Sequence, residues 1–372
     1  MNSLFSSLYL HFPFCETKCH YCDFYSIPQH KVTPDMPTRF EKALKIEIIQ
    51  NLSKIAPQIE TLFLGGGTPS MTSCQSMVRA LEPLWKHTQP TLDLEWTMEA
   101  NPSSIDLEAL RAYKNYGINR ISLGVQSLDS HLLKRLGRVH SREAALKALE
   151  NIFLAEFKNV SVDLLCGVPG QTLDHLEESI RLLTDFPITH FSCYILTLTP
   201  QHPMYSQLPD EATQLEHFLF VHQSLVKQGF EHYEISNFAK IGKKAKHNLN
   251  YWKHQSYLGL GPSAHSYDAF QKKRWKNYSS LHHYVQFLEK NQSVKEWEEN
   301  LSPKQTELEK WILALRLNEG FPKEWLYTPL QKKRADLFQE KGLIEIHPHK
   351  PHYLRLTPQG FTLSDQIIQF LT

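Results

Sequence analysis

Three cysteines, Cys15, Cys19 and Cys22, crowd together in the spacing C-x-x-x-C-x-x-C, while Cys74, Cys166 and Cys193 stand alone. Soft thiolates presented from one short loop suit an iron–sulfur cluster or a zinc ion. A cubane has four irons, so three thiolates leave one iron open to a further ligand. The competing arrangement is a Cys₃His zinc site with His20 or His11 as the fourth ligand. Structural zinc needs neither a glycine-rich loop nor carboxylates on neighbouring strands, and both occur further along the chain. The grouping is also unlike the disulfide framework of a secreted protein, and it points to a metal in a reducing compartment. The isolated cysteines read as small core hydrophobes.

The supporting residues recur at the ends of apolar runs. Thr61–Ser70 reads TLFLGGGTPS, a strand running into three glycines that expose backbone and let a ligand approach closely. It has the spacing of neither a Walker A loop nor a dinucleotide fingerprint. Glu99 and Asn101 share one face of a strand end, as do Arg120, Ser122, Gly124 and Gln126, by the period-two rule. Polar residues inside a barrel must find partners. A ligand with an ammonium, a carboxylate and ribose hydroxyls would satisfy them together. Asp163 lies among Val162, Leu164 and Leu165, so its carboxylate is expected to be buried and partnered, by a ligand hydroxyl or by a basic side chain such as Arg138.

Positioning these residues requires a repeated strand–helix unit. Strands are expected around Leu8–Leu10, Thr61–Leu64, Leu94–Met98, Ile121–Val125, Ser161–Leu165 and Phe191–Leu196. Helices fall between them; in the first, Phe40, Leu44, Ile48 and Leu52 repeat at i, i+4 behind a start at Asp35 and Pro37. The alternation implies a parallel sheet, doubly wound or of the (βα) barrel kind, and in such folds sites collect at the carboxyl ends of the strands. After about Gly229 the chain turns Tyr-, His- and Asn-rich. This stretch, 230–303, is expected to be a connecting segment packed near the barrel of residues 1–229. Residues 304–372 read as helix, helix, hairpin and helix, a smaller α+β, winged-helix-like domain.

Forty Lys and Arg against 39 Asp and Glu leave a net charge of +1, so no global field draws the chain to nucleic acid or to an acidic membrane. No apolar run approaches the ~20 residues of a membrane span, and the N-terminus lacks the basic region and cleavage site of a signal peptide. The expectation is a cytoplasmic protein without nucleic-acid partners.

The string YLHFPFCETKCHYCDF, followed by GGGTPS, EANP, SLGVQS, DLLCGVPGQT, YEISNFA, HNLNYW and GLGPSAHS, resembles the HemW branch of the oxygen-independent coproporphyrinogen oxidase-like radical SAM proteins. The resemblance implies a partial (βα)6 radical SAM barrel with a C-terminal domain. It also implies a [4Fe–4S] cluster on Cys15, Cys19 and Cys22, and S-adenosylmethionine (SAM) contacts from Tyr9, Tyr21, Gly66, Gly67, Thr68, Glu99, Gln126, Arg138 and Asp163. Two departures separate the chain from the true oxidases. Phe24 stands where they carry a further cysteine, and only fourteen residues precede Cys15. Both point to haem chaperones, which bind haem and pass it to an acceptor protein, and imply an electron donor for the cluster. The alternatives are an oxygen-independent coproporphyrinogen III oxidase and a zinc-stabilised binding module. With no thiol to react, Phe24 is expected to pack. His247 and His265 lie in family-like motifs and could ligate haem iron, although hydrogen-bonded loop histidines are the plainer reading.

Overall fold

A computed structural model of the chain describes residues 4–372. Six strands alternate with helices: β1 (Ser7–Phe12), α1 (Met36–Asn51), β2 (Gln58–Gly66), α2 (Cys74–His87), β3 (Gln89–Ala100), α3 (Leu107–Tyr116), β4 (Arg120–Gln126), α4 (Ser130–Arg135), α5 (Arg142–Leu154), β5 (Asn159–Cys166), α6 (Leu173–Thr184), β6 (His190–Ile195) and α7 (Glu211–Lys227). Every expected strand lies within one of them except for Leu196, which falls one residue past β6. Strands β1 to β6 pair in parallel in chain order. Short connections through helices can return each strand only to the same side, which curls the sheet towards a barrel.

The period-two pattern sorts the side chains. Leu8, Leu10 and Phe12 of β1 are buried in the layer between sheet and helices, where they meet Phe40, Leu44 and Ile48 of α1. Tyr9 and His11 therefore turn to the inner face. Asp35 precedes α1 and Pro37 lies in its first turn, as the helix-start signals require.

Residues 230–303 do more than connect. They supply β7 (Glu231–Glu234) and β8 (Asn237–Ala239), then α8 (Lys246–Trp252) and β9 (Leu258–Leu260). Strands β8 and β7 extend the sheet antiparallel beyond β6, and β9 pairs in parallel with β1 at the opposite edge, giving the order β9-β1-β2-β3-β4-β5-β6-β8-β7. Both edges left by the six-strand unit are thereby covered. Helix α8 sits towards the N-terminal ends of the strands, where Asn250 bonds to Ser7 and Glu95 accepts from the amides of Lys246 and His247. A small antiparallel sheet follows, β10 (His265–Asp268), β11 (Lys273–Asn277) and β12 (Lys295–Asn300), with α9 (Leu281–Glu289) between its last two strands.

The C-terminal elements are α10 (Pro303–Ala314), β13 (Phe321–Pro322), α11 (Pro329–Glu340), β14 (Ile344–Ile346), β15 (Tyr353–Leu356), α12 (Pro358–Thr362) and α13 (Ser364–Leu371). Their three-stranded sheet has the order β13-β15-β14, so the expected helix–helix–hairpin–helix order holds. Trp311, Leu315, Phe321, Leu354 and Phe361 form a second apolar core there, joined by Phe218 of α7. Among the described residues no helix is long and apolar enough to cross a membrane.

Candidate functional site

The cysteine loop leaves the carboxyl end of β1 and is closed on itself: Phe14–Cys15 pairs with Ile27–Pro28, and the Ile27 amide donates to Pro13 O. It encloses the mouth of a cavity of about 540 Å³ at the carboxyl ends of β2 to β6. Cys15, Cys19 and Cys22 all line it, as do Tyr21, Gly66, Gly67, Thr68, Glu99, Gln126, Arg138 and Asp163. Residues as far apart in sequence as Cys15 and Thr197 are thus brought to one chamber. Tyr9 does not line it. Its hydroxyl bonds to His11 Nδ1 at 3.0 Å, and its ring stacks on Phe63 deeper in the barrel.

Two of the thiols are linked by a polar bridge across the chamber. Thr68 Oγ1 donates to Cys15 Sγ (3.4 Å) and accepts from Asn101 Nδ2 (3.0 Å). Arg138 Nη2 donates to Asn101 Oδ1 (2.8 Å) and Gly124 O (2.6 Å), while Nη1 donates to Cys19 Sγ (3.4 Å). The Thr68 hydroxyl favours the Cys15 thiolate, against the effect of burial. Burial, reinforced by the neighbouring thiols, pushes Cys15 and Cys22 up despite the nearby Arg138 and Lys18 charges. Asn101, placed on this strand end by the period-two rule, is therefore a structural link that the family resemblance did not single out.

Among the described residues no three His, Cys, Asp or Glu side chains are grouped as the ligands of a metal ion. The expected zinc alternative also lacks a free fourth ligand in His11, whose Nδ1 and Nε2 are bonded to Tyr9 and to Tyr25 O. His20 is bonded through Nδ1 to Arg135 O. The donor set at the mouth, three soft thiols around an open chamber, fits a multi-iron cluster better than one hard or borderline ion. Arg138 Nε is buried without a partner, which leaves one donor for an anionic group.

The three glycines act differently from expectation. Gly66 has φ of 106°, and a Cβ on it would lie 2.5 Å from the His11 ring; on Gly67 it would lie 2.6 Å from Phe14 O. Their amides are already used, Gly66 N donating to Glu99 Oε2 (3.1 Å), Gly67 N to Phe12 O and Thr68 N to Phe14 O. The glycines thus let the cysteine loop approach β2, and the chamber meets their far side. Gln126 has φ of 67°, in a register shift of β4, a strained conformation of the kind that collects at functional sites.

Two half-buried carboxyls form the chamber floor. Burial, reinforced by Asp163, raises Glu99 to about 8. Burial raises Asp163 to about 6, although Ser192 and Ser122 donate to it. Of the two alternatives expected for Asp163, the Arg138 pair is not formed, because Arg138 is drawn to Asn101, Gly124 O and Cys19. Phe24 also differs from expectation. It is 69% exposed at the chamber mouth, where the loop that places the thiols leaves its ring facing outward.

Of the two histidines considered for haem, His247 is fully engaged at the opposite end of the barrel. Its Nδ1 bonds to Thr61 Oγ1 (2.8 Å), its Nε2 to Tyr251 Oη (2.7 Å), and its ring stacks on Phe63. His265 is exposed beside the edge of Trp297.

Residues 9–183 match the model of the Radical SAM superfamily. The fold agrees, since the chain superposes along its whole length on 91% of Escherichia coli coproporphyrinogen III oxidase, described as a radical SAM enzyme, with a TM-score of 0.85 at 20% identity. The class is therefore that of radical SAM proteins, which implies a [4Fe–4S] cluster and SAM. Curated relatives described as heme chaperone HemW include those of Bacillus subtilis, 34% identical over 97% of both chains, and Lactococcus lactis, 30% identical over 98% of this chain and 96% of that one. The Escherichia coli HemW is 36% identical over 70% of this chain and 69% of its own. The chain belongs to the HemW family.

Proposed function

We propose that this protein is a haem chaperone that binds haem and transfers it to an acceptor protein. The full-length likeness to relatives described as haem chaperones carries the reading. In it, Cys15, Cys19 and Cys22 would hold a [4Fe–4S] cluster at the chamber mouth. Tyr21, Gly66, Gly67, Thr68, Glu99, Gln126, Arg138 and Asp163 surround SAM, with Tyr9 supporting them from below. When bound, the reduced cluster supplies an electron that can cleave a carbon–sulfur bond of SAM. Glu99 would hold the ammonium, the free Nε of Arg138 offers a donor to an anionic group, and Asp163 suits a hydroxyl. Thr68 and Arg138 donate to Cys15 and Cys19 and so orient their sulfurs towards the chamber mouth. The barrel of residues 1–229, its sheet extended at both edges by strands from 230–303, and the C-terminal domain of 304–372 act in the cytoplasm, with a separate electron donor.

Phe24 bears on the choice against the oxidase. A phenyl ring at the mouth offers neither a transferable proton nor an electron, and its exposed face presents apolar surface instead. Two measurements decide. Reduced, cluster-loaded protein with SAM is given coproporphyrinogen without oxygen and the products are analysed by mass spectrometry; separately, haem is titrated and followed by absorbance. Stoichiometric haem binding without turnover is expected. Catalytic double decarboxylation would overturn the chaperone reading in favour of the oxidase.

A further inference from the structure

Polar side chains on the inner faces of β5 and β6 continue from the chamber floor to the far side of the barrel. Asp163 accepts from Ser192. Ser192 Oγ lies 3.5 Å from Ser161 Oγ, Ser161 Oγ 2.7 Å from His190 Nδ1, and His190 Nε2 2.8 Å from Tyr233 Oη. The register explains the alignment, since Asp163 is opposite Ser192 and Ser161 opposite His190. Tyr233 of β7 in turn borders a second, outward cleft of about 240 Å³ that it shares with Lys244, Lys253, Glu319 and His347. The chain therefore has a cavity at each end.

Its polarity is set by one amide. Ala245 N donates to Tyr233 Oη at 3.2 Å, so the phenolic proton goes to the remaining partner, His190 Nε2. His190 then carries its own proton on Nδ1 and donates to Ser161, Ser161 donates to Ser192, and Ser192, which also meets Tyr194, donates to the Asp163 carboxylate. Every donor points the same way, from the outer cleft to the chamber. The groups facing Asp163 include Glu99, Ser122, Ser192, Tyr194, Tyr21, Cys193, Arg120 and Arg138, and those facing His190 include Ser161, Tyr233 and Arg120. Burial and the Arg120 charge hold His190 neutral, the form a relay needs.

We propose that Tyr233, His190, Ser161 and Ser192 form a proton path that supplies Asp163 from the outer cleft when the chamber mouth is covered. One proton enters at the Tyr233 oxygen, each hydrogen bond passes its own proton to the next acceptor, and one proton arrives on the Asp163 carboxylate. No charge is left inside, and rotation of the hydroxyls with a change of imidazole tautomer resets the chain. Polar groups that only satisfy one another would need neither a common direction nor a cavity at both ends. The proposal rests on the cofactor reading in one respect, that SAM closes the mouth.

The test uses cluster-loaded protein at pH 5, with the protonated Asp163 carboxyl band identified in the infrared by its loss in Asp163→Asn. Hydrogen–deuterium exchange of that band is timed with saturating SAM, whose binding is read from the electron paramagnetic resonance spectrum of the reduced cluster. In Tyr233→Phe and in Ser161→Ala exchange is expected to slow roughly a hundredfold, the scale of a positioned proton transfer, while both bind SAM. Altered cluster spectra with exchange as fast as in the unsubstituted protein would overturn the path alone. Cluster spectra that SAM leaves unchanged would remove the cofactor reading, and the path with it, because the mouth is then never covered.

Discussion

Ionisation of Glu99 should make SAM affinity depend on pH, because the carboxyl that would receive the ammonium is held near a pKa of about 8 by burial and by Asp163. At pH 7 ionising it costs about 1.4 kcal/mol, and at pH 6 about 2.7 kcal/mol, at 1.36 kcal/mol per unit. The sign follows from the bound form being the carboxylate: affinity falls as pH falls below the raised value, by about tenfold per unit. Above about pH 8 the SAM ammonium itself begins to lose its proton, so the slope is read between roughly pH 6 and 7.5. In Glu99→Gln the shape and the Gly66 N–H acceptor are kept but the charge is lost. A charged hydrogen bond is worth about 1.5–3 kcal/mol, one to two decades in affinity. The variant should therefore bind about 10- to 100-fold more weakly near pH 8, with a flat profile, and the two curves should converge near pH 6, where the unsubstituted protein has spent that energy on ionisation. The assay is a SAM titration of the reduced cluster by electron paramagnetic resonance at fixed ionic strength. A flat profile in the unsubstituted protein, or an equal slope in the variant, would refute the assignment of Glu99.

Anaerobic reconstitution should give about four irons and four sulfides per chain, with replacement of Cys15, Cys19 or Cys22 by Ala abolishing them and replacement of Cys74, Cys166 or Cys193 leaving them in place. Stoichiometric zinc in place of iron would contradict this. Gly66→Ala should destabilise the fold by about 1–3 kcal/mol and lower the iron content, because its Cβ would strike His11. Gly170→Ala, which also has positive φ but nothing within 4 Å, should keep full iron content. Glu47 receives Gly261 N, Asn277 Nδ2 and Tyr284 Oη at 2.6–2.7 Å. Glu47→Ala orphans these donors and should cost roughly 2–3 kcal/mol in urea unfolding; a midpoint unchanged at constant slope would speak against that accounting.

Local spacing carries a large part of this protein. The thiol motif is legible because its residues lie within one loop. The six strands are legible because Leu8, Leu10 and Phe12 alternate with Tyr9 and His11, a period that survives without any partner. Polar residues at successive strand ends, from Glu99 to Asp163, mark the chamber because burying them alone would be costly.

Other features depend on which distant segments meet. The Tyr-, His- and Asn-rich stretch after Gly229 gave no sign of completing the sheet, since β8 and β9 are three residues each and pair across gaps in the chain that no local pattern records. Arg138 could be matched to Asp163 by charge, yet Asn101, Gly124 O and Cys19 lie nearer its guanidinium once β3 and β4 are side by side. Phe24 looks like a core residue by type and is left at the mouth by the loop geometry. The amides of Gly66 and Gly67 were open to a ligand in the sequence and are taken by Glu99 and Phe12 O in the fold. Residue type and short spacing determine which groups are available and which face of an element they occupy. Which partner each one takes is decided by the non-local pairing of strands, because hydrogen bonds and ion pairs act only over a few ångströms and the chain alone does not say what will lie within that reach.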